Sequence, residues 1–372
     1  MNVKYRAPLR QLLIELLIAG LIFLLGLNSQ LTESLYSRGL YPLISIAQRF
    51  VSSLLFFPLG DFLYLLLCMY ILWKVTLFFK CLLKKQLKKE DKIRIPLQVI
   101  NFILLLYIIF KVVWGLNYSR IPIASSLGIA HKKYDNKQLV LLGRFMISKL
   151  NELEPLREKK AGINTQTYPA SLLQNKAAKA YSVLEKTQSF FRYKVPVVKP
   201  VLNSWIVSTM GIQGYYCPLS GEANVNMRQP VPGLPFVTCH EIAHQLGVAR
   251  EDEANLVGYM VAIASDDPDF RYSGYYSILR NVMFELMLKS PKEYKLLYES
   301  INPKSLEDYK NDREFWKRYN GELSTYFGQA FDRFLKINNQ KKGIDSYQDI
   351  VLWVFNLHAK ELQTTTIAVP SP

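Results

Sequence analysis

Three apolar stretches near the start of this chain do most to fix what it can fold into. They run from about residue 11 to 28, 54 to 79 and 95 to 114. A helix needs roughly 20 apolar residues to cross the hydrocarbon core of a bilayer. In lipid the backbone has no water to bond, so a spanning segment must satisfy its own N–H and C=O groups as a helix. Glu15, Asp61 and Lys111 each fall near the end of a stretch, where a charge can reach water; Pro58 and Gly60 mark the start of the second. Half of the 372 residues are apolar, and the excess lies before residue 117. The expected plan is a three-helix membrane region over residues 1–116, a globular region over 117–363 and a loose tail over 364–372.

A cleaved signal peptide competes for the first stretch, because Lys4, Arg6 and Arg10 precede its apolar centre. No A-x-A-like site comes after it, and two further spans do, so it reads as an uncleaved anchor. The loop after the second span holds Lys80, Lys84, Lys85, Lys88, Lys89, Lys92 and Arg94, whereas the loop before it holds only Arg38 and Arg49. The positive-inside rule then puts the N-terminus and the lysine-rich loop in the cytoplasm, and everything after Trp114 outside it. The expected location is the plasma (inner) membrane, with the lipid bilayer as one partner. A net charge of +16 raises nucleic acid as another. Much of that excess is the loop facing anionic headgroups, and the other lysines are scattered without an RNA-binding or zinc-finger signature, so nucleic acid is excluded. Of four cysteines, Cys217 and Cys239 fall outside, where a disulfide is permitted; sequence does not pair them.

Beyond Asn117 the pattern is mainly helical. Residues 135–155 predict a helix capped by Asp135, and 168–192 a second. Glycines and Pro218 punctuate Met210–Met227, which reads as short strands and turns. The run Gly221–Asn226 is either an edge that pairs with an extended peptide or a local hairpin. Further helices are expected over Glu253–Ala264 and through to about residue 363, with turns near Ser273-Gly274 and Gly343.

Two of the chain's four histidines stand in His240-Glu241-Ile242-Ala243-His244. Positions four apart share a helix face, so both imidazoles can reach one zinc ion, while Glu241 can face a bound water as general base. In an ordinary amphipathic helix the same spacing would leave Glu241 and His244 solvated and His240 in the core. The residues beyond His244 argue against that. Gly247 can end the helix, and Glu251-Asp252-Glu253-Ala254-Asn255 comes next. Two imidazoles and one carboxylate would leave a zinc position open for water, as catalytic sites do. Glu251 is favoured as third ligand because Asn255, one turn on, could support a ligand histidine; Glu253 is the alternative. A continuous helix would carry residue 251 about 10 Å beyond His244, so the ligand set requires a break near Gly247.

This His2Glu pattern resembles thermolysin-like gluzincins, whose third ligand often lies in an ExxAD or ExxAN run, here Glu251-x-x-Ala254-Asn255. The gap from His244 is much shorter than in those enzymes. More widely, Trp114-Gly115-Leu116-Asn117-Tyr118-Ser119-Arg120, Gly211-Ile212-x-Gly214-Tyr215-Tyr216-x-Pro218, Gly221–Asn226, the histidine run and Arg271-Tyr272-Ser273-Gly274-Tyr275 together resemble an uncharacterised bacterial family of multi-pass membrane proteins with a zincin-like outer domain. The resemblance extends to about residue 290. It implies a mainly α fold: a three-helix transmembrane region followed by an α-rich (α+β) zincin-like metallopeptidase domain. The implied activity is hydrolysis of a peptide or protein outside the cytoplasm, with one Zn2+ on His240, His244 and Glu251. Glu241 would be the general base, and Tyr216, Tyr272 or Tyr275 an oxyanion or substrate contact, each also a natural packing residue.

Three other readings are weaker. A non-enzymatic envelope scaffold or binding protein retaining a metal would not need Glu241. An intramembrane protease conflicts with Pro235, Arg250 and Asp252 around the motif, and with an apolar run, Leu256–Ala264, too short to span. A transporter lacks paired intramembrane charges and an internal repeat.

Overall fold

The computed structural model describes residues 3–158 and 168–367, and it is mainly helical with three short strands. The chain divides into two compact units. The first comprises residues up to Ile121 together with the turn Cys217–Gly221; the second comprises Pro122–Tyr216 and residues from Glu222 onward. The boundary thus falls a few residues after the expected 116, and a five-residue turn from later in the sequence joins the first unit.

In the first unit, three helices are long and apolar enough to cross a membrane: Arg6–Gly26, Leu59–Leu83 and Asp91–Val113. These point to a membrane protein. Their leucines and isoleucines, among them Leu17, Leu66, Leu72 and Ile103, face outward, as side chains meant for lipid do. The second helix begins at Leu59, after Pro58, so residues 54–58 are not part of it. Asn101 Nδ2 donates to the carbonyl of Pro8 at 3.1 Å, tying the third helix to the first.

The link from first to second span is itself helical, with a π-helical run Thr32–Leu40 leading into Tyr41–Ser53. Tyr36 donates its hydroxyl to the carbonyl of Val112. Glu33 is buried and receives Arg120 through both carboxylate oxygens, at 2.8 and 3.0 Å, and Arg38 at 2.8 Å. Burial alone would raise this carboxyl; the two guanidinium groups outweigh it and hold it below the usual range. The turn Cys217–Gly221 is stitched into the same unit. Ser52 donates to the carbonyl of Ser220, and Gln48 to those of Pro218 and Leu219. Gly60 is required here, since a Cβ would stand 2.6 Å from Cys217 Sγ.

In the second unit the strands Val198–Pro200 (β1), Gly214–Cys217 (β2) and Glu222–Val225 (β3) form a sheet ordered β1-β3-β2. β1 runs parallel to β3, with Val198 opposite Ala223 and Pro200 opposite Val225. β3 is therefore the middle strand, buried at all four residues. Of the two readings of Gly221–Asn226, a peptide-pairing edge or a local hairpin, the structure gives the hairpin: β3 has a strand on each side.

Around the sheet pack helices whose starts follow local chemistry. Asn136–Glu158 opens with Asp135 Oδ1 accepting from the Gln138 amide while Gln138 Oε1 accepts from the Asp135 amide, a reciprocal cap. Ala170–Glu185 ends earlier than the predicted 192, because the chain turns to bury Phe191. Pro268–Lys289 runs unbroken through Ser273-Gly274, where a turn is expected from sequence. Gly274 marks a close helix crossing instead: a Cβ there would lie 3.0 and 3.1 Å from Ile263 and Ala262. Gly343 does turn the chain, at φ +58°. Of the expected tail, residues 364–367 continue a helix Ala359–Ile367, and 368–372 lie outside the described residues.

Candidate metal centre

Two helices build the site. The first, Leu234–Gln245, carries both histidines and is buried at every residue. Its start is tied down by Ser273, whose hydroxyl accepts from the Phe236 amide. Its middle is held by Tyr181, which donates to the carbonyl of Cys239. It stops where the sequence predicts: Gly247 adopts φ +83°, and the Gly247 and Val248 amides bond back to the carbonyls of His244 and Ala243. The second helix, Glu251–Ala264, starts three residues later. Glu251, Asn255 and Gly258 share one of its faces, at helical spacing. Gly258 brings the helices into backbone contact, since a Cβ there would stand 3.0 Å from His240 N and 3.1 Å from His240 Cα. That contact swings Glu251 back onto the histidines and meets the condition that the short connection imposes.

His240 Nε2 lies 3.1 Å from His244 Nε2 and 3.2 Å from Glu251 Oε2, and His244 Nε2 lies 3.6 Å from the same oxygen. Ligand atoms set tetrahedrally about 2.0–2.1 Å from a zinc ion stand about 3.3 Å apart, so these three have the spacing of one ion's ligands. The donor set fits as well. His244 Nδ1 contacts the carbonyl of Val248 at 2.6 Å. A carbonyl can only accept, so Nδ1 carries the proton and, in the neutral ring, the Nε2 lone pair faces the cluster. Among the described residues His240, His244 and Glu251 are the group that could hold a metal.

Glu241 is buried beside this group. Gly214 of β2 lies against it, for a Cβ there would be 2.9 Å from Glu241 Oε1. Burial pushes the Glu241 carboxyl up to about 7, with Glu251 adding to the rise and the two imidazoles opposing it. Burial also works to raise Glu251, but His244 and His240 hold it far below the usual carboxylate range. For His244, burial favours the neutral ring, and the Glu251 carboxylate reverses this, pushing it up to about 9. Glu241 Oε2 and His240 Nδ1 are buried with no hydrogen-bond partner among the described residues. Such groups are costly to leave unpaired, and they concentrate where a ligand or ion belongs.

The remaining predicted residues fall elsewhere. Glu253 is not in the group; its Oε1 accepts from the Ala124 amide, at the start of a short helix Ile123–Ser126. Asn255 is buried, yet no hydrogen bond joins it to either imidazole, and the Val248 carbonyl fills the supporting role for His244. Tyr272 donates its hydroxyl to Asp308 and pairs with the Ser305 hydroxyl under the Arg157 guanidinium, and Tyr275 packs on Phe145 and Tyr259, so both are packing residues of helix Pro268–Lys289. Tyr216 stays in play: on β2 it shares a face with Gly214, the residue against Glu241. Cys217 and Cys239 are both free thiols. Sequence reasoning missed Gly214, Gly258 and Val248. Gly258 left a signal as a glycine in the middle of a helical run, and Gly214 as part of the glycine-tyrosine motif, without a role assigned to either.

Fold and site together define a mainly helical protein with three helices of membrane-crossing length and a buried His-His-Glu cluster. The chain belongs to the family described as Protein of unknown function (DUF3810), whose model matches residues 36–355. No curated protein and no solved structure matches it.

Proposed function

We propose that this chain is a membrane-anchored, zinc-dependent metallopeptidase that hydrolyses peptide bonds outside the cytoplasm. The observation that carries the reading is the approach of His240 Nε2, His244 Nε2 and Glu251 Oε2 to within 3.6 Å of one another beside a buried Glu241. Three protein ligands leave a fourth position open, the signature of a catalytic rather than a structural zinc. Zinc bound there would supply Lewis acidity and lower the pKa of a coordinated water towards about 7. The protein's own residues do the rest. His244 is fixed in one tautomer by Val248. Glu241, with its carboxyl near neutrality, takes a proton from the attacking water and returns it to the leaving amine. Gly214 keeps the Glu241 carboxylate against β2, and Tyr216 on the same strand face is the remaining side-chain donor for the oxyanion. The lysine-rich loop, residues 80–94, supports a cytoplasmic N-terminus and an extracytoplasmic second unit at the plasma membrane.

Elemental analysis of the full chain, solubilised in detergent, tests the metal: about one zinc per chain is expected, and none would end the proposal. Comparison of extracytoplasmic protein fragments from cells carrying wild type or Glu241→Gln tests the chemistry. Uncut substrates should accumulate in the variant while its zinc is retained. Zinc with no change in fragments would instead make the protein an envelope scaffold or binding protein with a retained metal.

A further inference from the structure

Two exposed apolar surfaces of the second unit have no part in the site. One is Leu202, Trp205 and Ile206, on and just before the short helix Ser204–Thr209. The other lies on helix Glu322–Ile337, where Leu323, Tyr326, Phe334 and Ile337 are exposed, Tyr326 by 67% and Ile337 by 81%. At about 100° per residue these four fall within an arc of about 80°. Phe327, Phe331 and Leu335 occupy the adjoining arc, the two phenylalanines half-buried and Leu335 buried. The helix is therefore apolar over about twice the width that the unit covers. The two surfaces adjoin, because a Cβ on Gly211, just after the first helix, would lie 3.7 Å from Ser324 Cβ on the second.

We propose that this joint surface docks on the lipid bilayer. A patch of this kind needs an occupant, and the chain brings one within reach. Its third membrane-length helix ends at Val113 and the second unit begins at Pro122. The eight residues between, 114–121, can extend no more than about 29 Å. The tether keeps the whole second unit near the bilayer that the membrane-length helices suit, so its apolar surfaces meet lipid at a high effective concentration. The side chains suit the headgroup boundary, where tryptophan and tyrosine collect and amphipathic helices lie in plane. Residues 310–342 also carry eight lysines and arginines against four acidic residues, a balance that favours anionic headgroups. The docked surface lies beside β2, whose Gly214 touches Glu241. On the metallopeptidase reading, on which this corollary rests, the substrates are polypeptide segments lying at the membrane surface.

The test uses the full chain in nanodiscs of phosphatidylglycerol and phosphatidylethanolamine. The chain has five tryptophans, so the signal of Trp205 is taken as the difference between wild type and Trp205→Phe. Brominated acyl chains should remove most of that difference emission, and aqueous iodide should leave it. Tyr326→Trp in the Trp205→Phe background should behave the same way. Free quenching by iodide with none by bromolipid overturns the proposal. So does protection from both quenchers, which would mean a second copy covers the patch. The exposed position of both residues keeps the variants foldable, and circular dichroism checks this. The readout needs neither metal nor activity, so it stands or falls apart from the peptidase reading.

Discussion

Two buried groups of charge among the described residues, one around Glu33 in the first unit and one around Glu251 in the second, are built in opposite ways. In the first unit Glu33 is closed off: both oxygens are taken by Arg120, Arg38 adds a third contact, and the charges compensate. In the second, two imidazoles and a carboxylate face one another, while His240 Nδ1 and Glu241 Oε2 have no hydrogen-bond partner among the described residues. A satisfied ion pair needs nothing further and serves to fix geometry, here that of the Trp114–Arg120 segment. A cluster of potential ligands with unmet groups beside it has the donors that a cation could use. Buried charge by itself does not mark a functional centre; a group of metal-ligating residue types converging on one point with unmet atoms beside it is the better candidate.

The comparison breaks first if the His-His-Glu cluster proves to hold no metal. His244→Ala should reduce bound zinc from about one ion per chain to none by elemental analysis, whereas Arg120→Met should leave the metal content unchanged. The second largest effect should be on stability and in the other unit. Glu33→Gln strands the buried Arg120 guanidinium and should cost about 3–5 kcal/mol in a denaturant titration of the solubilised chain, while the double change Glu33→Leu with Arg120→Met should recover most of it. Equal losses from the double and single changes would show that the pair does more than compensate charge. Gly258→Val sharpens the comparison from the site's side. Pushing the two helices apart at His240 should weaken zinc binding about 10–100-fold in a chelator competition, with the fold retained by circular dichroism. The smallest effect is expected at Glu253→Gln, which should keep its zinc and lose only about 1 kcal/mol, because Glu253 stands outside the His-His-Glu group and an amide oxygen can still accept from Ala124. Loss of metal there would return Glu253 to the ligand set.

Much of this was legible from residue order. The spans announce themselves because lipid demands about 20 apolar residues in a row, and the observed helices match to within a few residues except before Pro58. The start of Asn136–Glu158 and the stop at Gly247 are also local, set by a cap and by a positive φ. Sequence misleads where a local signal has two meanings. Ser273-Gly274 looks like a turn, but serine here accepts from a neighbouring helix and glycine makes room for one. Tyr272 and Tyr275 look available for substrate, but their surroundings come from residues such as Ser305, Asp308 and Phe145 that spacing cannot reveal.

The sequence by itself determined three membrane-length helices, a pair of histidines on one helix face and a break after them. Each of these depends on neighbours within a turn or two, where covalent geometry and helical period are sufficient. Long-range packing chose Glu251 over Glu253 as the carboxylate beside the imidazoles, and it put β3 in the middle of the sheet. The first follows from how closely two helices cross, at Gly258 against the backbone of His240, eighteen positions apart in the chain, and the second from the pairing of β1 with β3.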